Sequence, residues 1–175
     1  QPPSGSKDPF ALRRASLAVI RILIDQGKPA PLQALLEQAA SNHTTELQPD
    51  TVATVLQYVL DRLGNWYDDE GIHISVLRAV LATEISDLFD IDLRVRALSR
   101  FSQTETAEHL AAANKRVANI LAKANSSDDE QPDSSLFTEE AETALHKAVT
   151  AVDAAVEPLI AERNYRDALN ELAKL

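Results

Sequence analysis

The chain has 175 residues, 45% of them hydrophobic and only 5% aromatic, and carries a net charge of −10. That length and apolar content suffice for one domain, or two small ones sharing a face, and abundant Ala and Leu favour packed helices over sheet. The absence of cysteine excludes disulfides and thiolate chemistry, and no apolar run approaches the ~20 residues that a membrane-spanning helix needs.

No signal peptide is visible in the opening Gln1-Pro2-Pro3-Ser4-Gly5-Ser6, and the sequence has no Met at all, so it reads as a segment of a longer protein. Asp8-Pro9 reads as a helix start, with Asp as N-cap and Pro at the first helical position. That helix is expected to run through Ile24 and stop at Gly27, with Phe10, Leu17, Ile20 and Ile24 at helical spacing. A short helix is predicted from Pro31 to about Ala40, then a polar loop from Asn42 to Gln48. A longer helix follows from about Asp50 to Trp66, with Val52, Val55, Leu56, Val59, Leu60 and Leu63 facing the core. Gly71 breaks the pattern, Ser75 to Leu81 makes one or two turns, and Thr83 to Asp90 is irregular. Another helix spans about Ile91 to Phe101. Thr104 or Thr106 caps a longer one reaching Ala124.

Asn125 to Ser135 (NSSDDEQPDSS) is too polar to bury and reads as a flexible acidic linker. Thr138 opens a helix whose first turn holds Glu139 and Glu140, which favours the macrodipole. Pro158 is expected to bend or end it. The last element, Asn164 to Leu175, is still helical where the sequence stops. No segment sustains period-two alternation, so the predicted fold class is all-α, an irregular helical bundle without sheet.

Most catalytic chemistry has no residues to carry it. The four glycines are isolated, so no phosphate loop exists, and no G-x-S-x-G nucleophile motif occurs. His43, His73, His109 and His146 lack metal-ligand spacing, and each reads as an exposed or satisfied histidine. The acids of Asp68-Asp69-Glu70 and Asp128-Asp129-Glu130 fall in loop-like stretches and read as solvated charge. No metal site, no catalytic residue and no cofactor is expected on this segment. Trp66 and Tyr67 read as packing residues.

Charge distribution is more informative than its sum. Residues 91–124 hold six bases (Arg94, Arg96, Arg100, Lys115, Arg116, Lys123) against three acids (Asp92, Glu105, Glu108), a window of +3 in a remainder of −13. An acidic body with a local basic face suits a selective partner rather than bulk polyanion binding. In the helix from Thr104 to Ala124, Leu110, Val117, Leu121 and Ala124 share one side at about 100° per residue. Lys115, Asn119 and Lys123 follow at i, i+4 and i+8 on the other, with Arg116 on the flank. Such a ridge meets phosphates through Lys, forks or stacks through Arg, and reads base edges through Asn. The bland alternative is a solvated helix face. Lys7, Arg13 and Arg14 form a second basic group, for which local partners such as Asp8 are the slightly favoured reading.

Three phrases carry a resemblance. The first is Gly5-Ser6-Lys7-Asp8-Pro9-Phe10-Ala11-Leu12-Arg13-Arg14. The second is Trp66-Tyr67-Asp68-Asp69-Glu70-Gly71, followed by Val80-Leu81-Ala82. The third runs from Ala111 through Asn114-Lys115-Arg116-Val117-Ala118-Asn119 to Lys123. In this order and spacing they resemble the β subunit of the heterotetrameric, bacterial-type glycine–tRNA ligase, and Leu159 to Leu175 continues the match. The resemblance implies that glycine and ATP (with Mg) are handled by a separate α subunit in a two-α two-β heterotetramer. It further implies that this segment serves tRNA(Gly) recognition. Residues 1–90 are expected to end a helical body region. Residues 91–175 are expected to form a truncated helical module resembling the DALR-like anticodon-binding domain of arginine–tRNA ligases. A cytoplasmic enzyme of bacterial type is implied, or a plastid-stroma one. The rival reading is a helical scaffold that docks subunits without touching tRNA; one continuous basic stripe built from the 91–124 region would favour the first.

Overall fold

A computed structural model describes residues 8, 10–124 and 132–175. Among them are eight α-helices and no strand. The chain divides into two compact units, residues 1–99 and 100–175.

The first helix, α1, spans Leu12–Asp25 and begins later than its sequence signals suggest. Ala11 precedes it in the left-handed region at φ 55°. Asp8 still caps it from outside the first turn: its carboxylate accepts from the Leu12 N–H at 2.7 Å and the Arg13 N–H at 3.2 Å. The buried stripe is Ser16, Ile20 and Ile24, whereas Phe10 is 79% exposed and Leu17 is also exposed. Ser16 tolerates burial because its hydroxyl donates to the Leu12 carbonyl at 2.8 Å. Gly27 at φ 59° terminates the helix, as its sequence position predicts.

Helix α2 (Leu32–Ser41) and α3 (Thr51–Asp69) pack together, and α3 runs three residues past the predicted end, carrying Trp66 and Tyr67 inside it. Val59, Leu63 and Tyr67 form its buried seam; Val55, predicted for the core, is exposed. Gly71, at φ 76°, makes the turn into α4 (Ile74–Leu81). His73 Nδ1 accepts from the Ser75 N–H at 3.2 Å, so this histidine is a helix cap. Helix α5 (Leu88–Phe101) starts three residues earlier than expected. The missed signal is Asp87, whose carboxylate accepts from the N–H groups of Phe89 and Asp90. Together Ile20, Leu63, Tyr67, Leu88, Ile91 and Val95 are the most deeply buried side chains of this unit.

One polar network crosses this core. Asp92, 5% exposed, accepts from the Tyr67 hydroxyl at 3.1 Å and from Arg96 Nε at 2.8 and 3.0 Å. Arg96 also pairs with Glu70 at 2.9 Å. Burial, and then the adjacent Asp92 carboxylate, push the Tyr67 hydroxyl above its usual range. The Asp92 hydrogen bond likewise raises Arg96 above an ordinary guanidinium.

In the second unit, α6 spans Glu105–Ala124, and Thr104 rather than Thr106 caps it: its Oγ1 accepts from the Ala107 N–H at 3.2 Å. Of the expected linker, residues 125–131 lie outside the described residues; Ser134–Leu136 make a short 3-10 turn. Helix α7 (Glu140–Ala161) opens one residue later than predicted, with Glu139 as N-cap in a capping box with Glu142. Glu142 accepts from the N–H groups of Thr138 and Glu139 at 2.8 and 3.0 Å, which lowers its carboxyl below the usual range. Pro158 does not end α7, which continues to Ala161. Asn164 caps α8 (Tyr165–Leu172), which packs on the C-terminal half of α7 through Ala168 against Val152 and Val156.

The Glu142 pair of bonds gives a pH-dependent expectation. Because the folded pKa is depressed, the stabilisation exists above the unfolded carboxyl's pKa and disappears as pH falls through the folded value. Glu142→Ala is therefore expected to melt below the parent at neutral pH and to match it in strong acid. A gap of equal size at both pH values would show that the carboxylate is not responsible.

Candidate nucleic-acid interface

The face that the sequence singles out is built by α6 alone. Glu105 and Glu108 occupy its first turn and Lys123 its last, the charge order that suits the helix dipole. Ala112, Lys115, Arg116, Asn119, Ile120 and Lys123 together line one shallow depression open to solvent. Four of these are the predicted ridge. The other two were not predicted: Ala112 leaves room between the long side chains, and Ile120 supplies an apolar wall beside Arg116. Their signal was the 112–116–120 spacing of four, which places them along the same strip.

All of Lys115, Arg116, Asn119 and Lys123 are exposed. Among the described residues, Arg94, Arg96 and Lys174 form ion pairs and none of these four does. Three cationic side chains and one amide thus face water together on about two and a half turns. That grouping can accept phosphate oxygens, stack a base on the guanidinium, or read a base edge through the amide.

The remaining candidates are disposed differently. Arg94 pairs with Asp90 at 2.9 Å and Arg96 with Asp92 and Glu70, all within the first unit. These arginines hold α5 in shape. Arg100 is exposed in the last turn of α5. In the second basic group, Lys7 lies outside the described residues, Arg13 is half-buried and Arg14 is exposed. Tyr67 is buried, and Trp66 packs against the core with the Arg21 guanidinium 5.7 Å from its ring centre.

The first unit offers a surface of another kind. A groove of about 650 Å³ runs between α1, α2 and α3, its walls including Leu12, Val19, Leu32, Leu36, Val55 and Tyr58. It is apolar, and the Tyr58 hydroxyl is buried without a hydrogen-bond partner. No described helix is long and apolar enough to cross a membrane.

Comparison with known proteins decides the family. The profile described as glycyl-tRNA synthetase beta subunit matches residues 1–82. The glycine–tRNA ligase β subunit of Ectopseudomonas mendocina is 44% identical over 99% of the chain. Those of Haemophilus influenzae (strain PittGG) and Vibrio parahaemolyticus are 45% and 46% identical over all of it. The chain belongs to the glycine–tRNA ligase β-subunit family. It spans about a quarter of the length of each of these relatives, 25% in all three. Within this family the similarity extends across both units, so the α6 ridge lies inside the matched region although the profile stops at residue 82.

Proposed function

We propose that this stretch of a glycine–tRNA ligase β subunit contacts tRNA(Gly) through the exposed face of α6. In this reading Lys115 and Lys123 meet phosphates, Arg116 forks onto phosphate or stacks on an unpaired base, and Asn119 reads a base edge. Residues 91–175 act as the anticodon-binding module, and glycine, ATP and Mg are handled by an α subunit in a cytoplasmic two-α two-β enzyme. The single supporting observation is the grouping of these four exposed side chains in a chain whose net charge is −10. A strongly acidic protein that gathers three cations on one strip favours a polyanion there and repels it elsewhere.

The apolar groove favours a second role for residues 1–99, as a docking surface for another protein segment. The two roles occupy different surfaces and can coexist.

The test is fluorescence anisotropy of labelled tRNA(Gly) with the complete ligase, comparing Arg116→Lys with the parent. A planar guanidinium is not replaced by an ammonium. The substitution is expected to weaken binding several-fold while leaving the salt dependence almost unchanged, because the charge persists. An affinity equal to the parent's would remove Arg116 from the interface.

A further inference from the structure

Helix α1 carries more apolar surface than its own unit covers. At about 100° per residue, the arc from Ile22 through Val19, Leu12, Leu23 and Ile20 to Ile24 spans roughly 200°. A surface helix needs an apolar stripe of only about 100°. Helix α3 covers the Ser16–Ile20–Ile24 edge. Leu12, Val19 and Ile22, on the other part of the arc, are 40%, 38% and 59% exposed. On the α3 wall of the 650 Å³ groove, Val55 is 38% exposed, although its helical spacing puts it on the core side. Both walls are thus built to be covered from the groove.

The shape and the polar groups of the groove define what fits it. Its lining runs from Leu12 to Val19 on α1 and from Thr51 to Val59 on α3. Each stretch is about two helical turns, or roughly 11 Å. The walls are largely apolar, with Leu32 and Leu36 contributed by α2. An extended segment would bring unpaired backbone N–H and C=O groups against them, whereas a helix bonds its own. Two polar groups lack partners. The Tyr58 hydroxyl is buried without a hydrogen-bond partner, and its ring is held by the Arg62 guanidinium 4.5 Å from its centre. Asp50 is the one charged residue of the lining, and it makes no capping bond to α3 and no ion pair among the described residues. The complementary occupant is an amphipathic helix with apolar side chains at i, i+4 and i+7, an acceptor opposite Tyr58 and a Lys or Arg beside Asp50.

Building on the docking role of residues 1–99, we propose that the groove is occupied by such a helix from the remainder of the β subunit itself. The chain spans 25% of each relative, so three quarters of such a β subunit is available to supply the helix. A tethered segment finds the groove at high effective concentration. A separate partner would leave Leu12, Val19 and Val55 in water until it arrived. The β-subunit profile, over residues 1–82, includes every residue of the lining, so the groove belongs to the part that the profile describes. Docking buries the surplus arc of α1, gives the Tyr58 hydroxyl an acceptor and Asp50 a cation, and fastens residues 1–99 to the rest of the subunit.

The test places a benzophenone side chain at position 19 on α1, or at position 55 on α3, in the complete ligase. Irradiation is expected to join both positions to the same peptide of the β subunit beyond these 175 residues, in a product that runs as a single β chain on a denaturing gel. That peptide should show helical apolar spacing with a Lys or Arg at one end. Asp50→Lys should lower the yield from position 19 at least about threefold, and changing the captured peptide's cation to Glu should restore it. A product with the α subunit, with a second β chain or with a peptide inside these 175 residues would overturn this occupant and leave a protein-docking groove. No protein product from either position would overturn the docking role as well. A yield indifferent to Asp50→Lys would overturn the occupant too, since Asp50 defines its charge.

Discussion

Lys115→Ala combined with Lys123→Ala, made in the complete ligase, is expected to weaken tRNA(Gly) binding on the order of tenfold near physiological salt. Each lost phosphate contact removes about one released counterion, so the slope of log affinity against log salt should flatten by roughly 0.7–0.9 per lysine. Both side chains are exposed on a helix in which residues 105–123 are all exposed or half-buried, so truncating them leaves the folded state almost untouched. The melting transition should move by less than about 1 kcal/mol equivalent. This pairing of a large binding effect with a small stability effect separates contact from collapse. Affinity measured at two salt concentrations, beside a thermal melt, checks it. An unchanged slope would return the ridge to an ordinary solvated helix face and leave recognition to other parts of the ligase.

The largest stability effect is expected at Asp92. Asp92→Ala removes the acceptor of the buried Tyr67 hydroxyl and the carboxylate that accepts from Arg96 Nε in one step. A buried donor left unsatisfied costs about 1–3 kcal/mol. Losing one partner of a fully buried ion pair costs about 3–5 kcal/mol, but the Arg96 side chain is 40% exposed and keeps Glu70, which reduces that share. The sum expected in urea unfolding is about 2–4 kcal/mol. Tyr67→Phe, which removes the donor and spares the ion pair, should cost only about 1 kcal/mol. If Asp92→Ala falls within 0.5 kcal/mol of the parent, the network does not hold α3 to α5.

The same network explains what the sequence could and could not reveal. The basic window of residues 91–124 counts Arg94 and Arg96 as equals of Lys115 and Lys123. Only the fold separates them. Asp90 and Asp92 lie four residues before the two arginines on α5, and packing buries both acids, so the charges cancel within the helix. The i, i+4 pairs were visible in the sequence, but burial of the acids was not. On α6 no acid stands four residues before Lys115 or Lys123, and the ridge read from spacing is the ridge that faces water.

Helix positions were legible where apolar spacing and caps agreed. Gly27 and Thr104 mark real boundaries because each acts through local geometry. Asp87 was passed over, since its cap lies in a stretch without apolar periodicity. On α1, Phe10 and Leu17 satisfied helical spacing and yet are exposed. Spacing cannot distinguish one apolar edge from its neighbour; the partner decides, and α3 meets the Ser16–Ile20–Ile24 edge. Pro158 was expected to bend or end α7. It sits three residues from the helix end, and the last turn continues past it to Ala161.

The most direct measurement of the central claim is photo-crosslinking in the complete ligase. A benzophenone side chain placed at position 119, in the middle of the strip, is compared with one at position 121, on the apolar side of the same helix. The account predicts that irradiation joins position 119 to tRNA(Gly), with the yield falling as salt rises, and that position 121 gives little product. Equal yields from the two positions, or none from 119 while the ligase still charges tRNA(Gly), would contradict it.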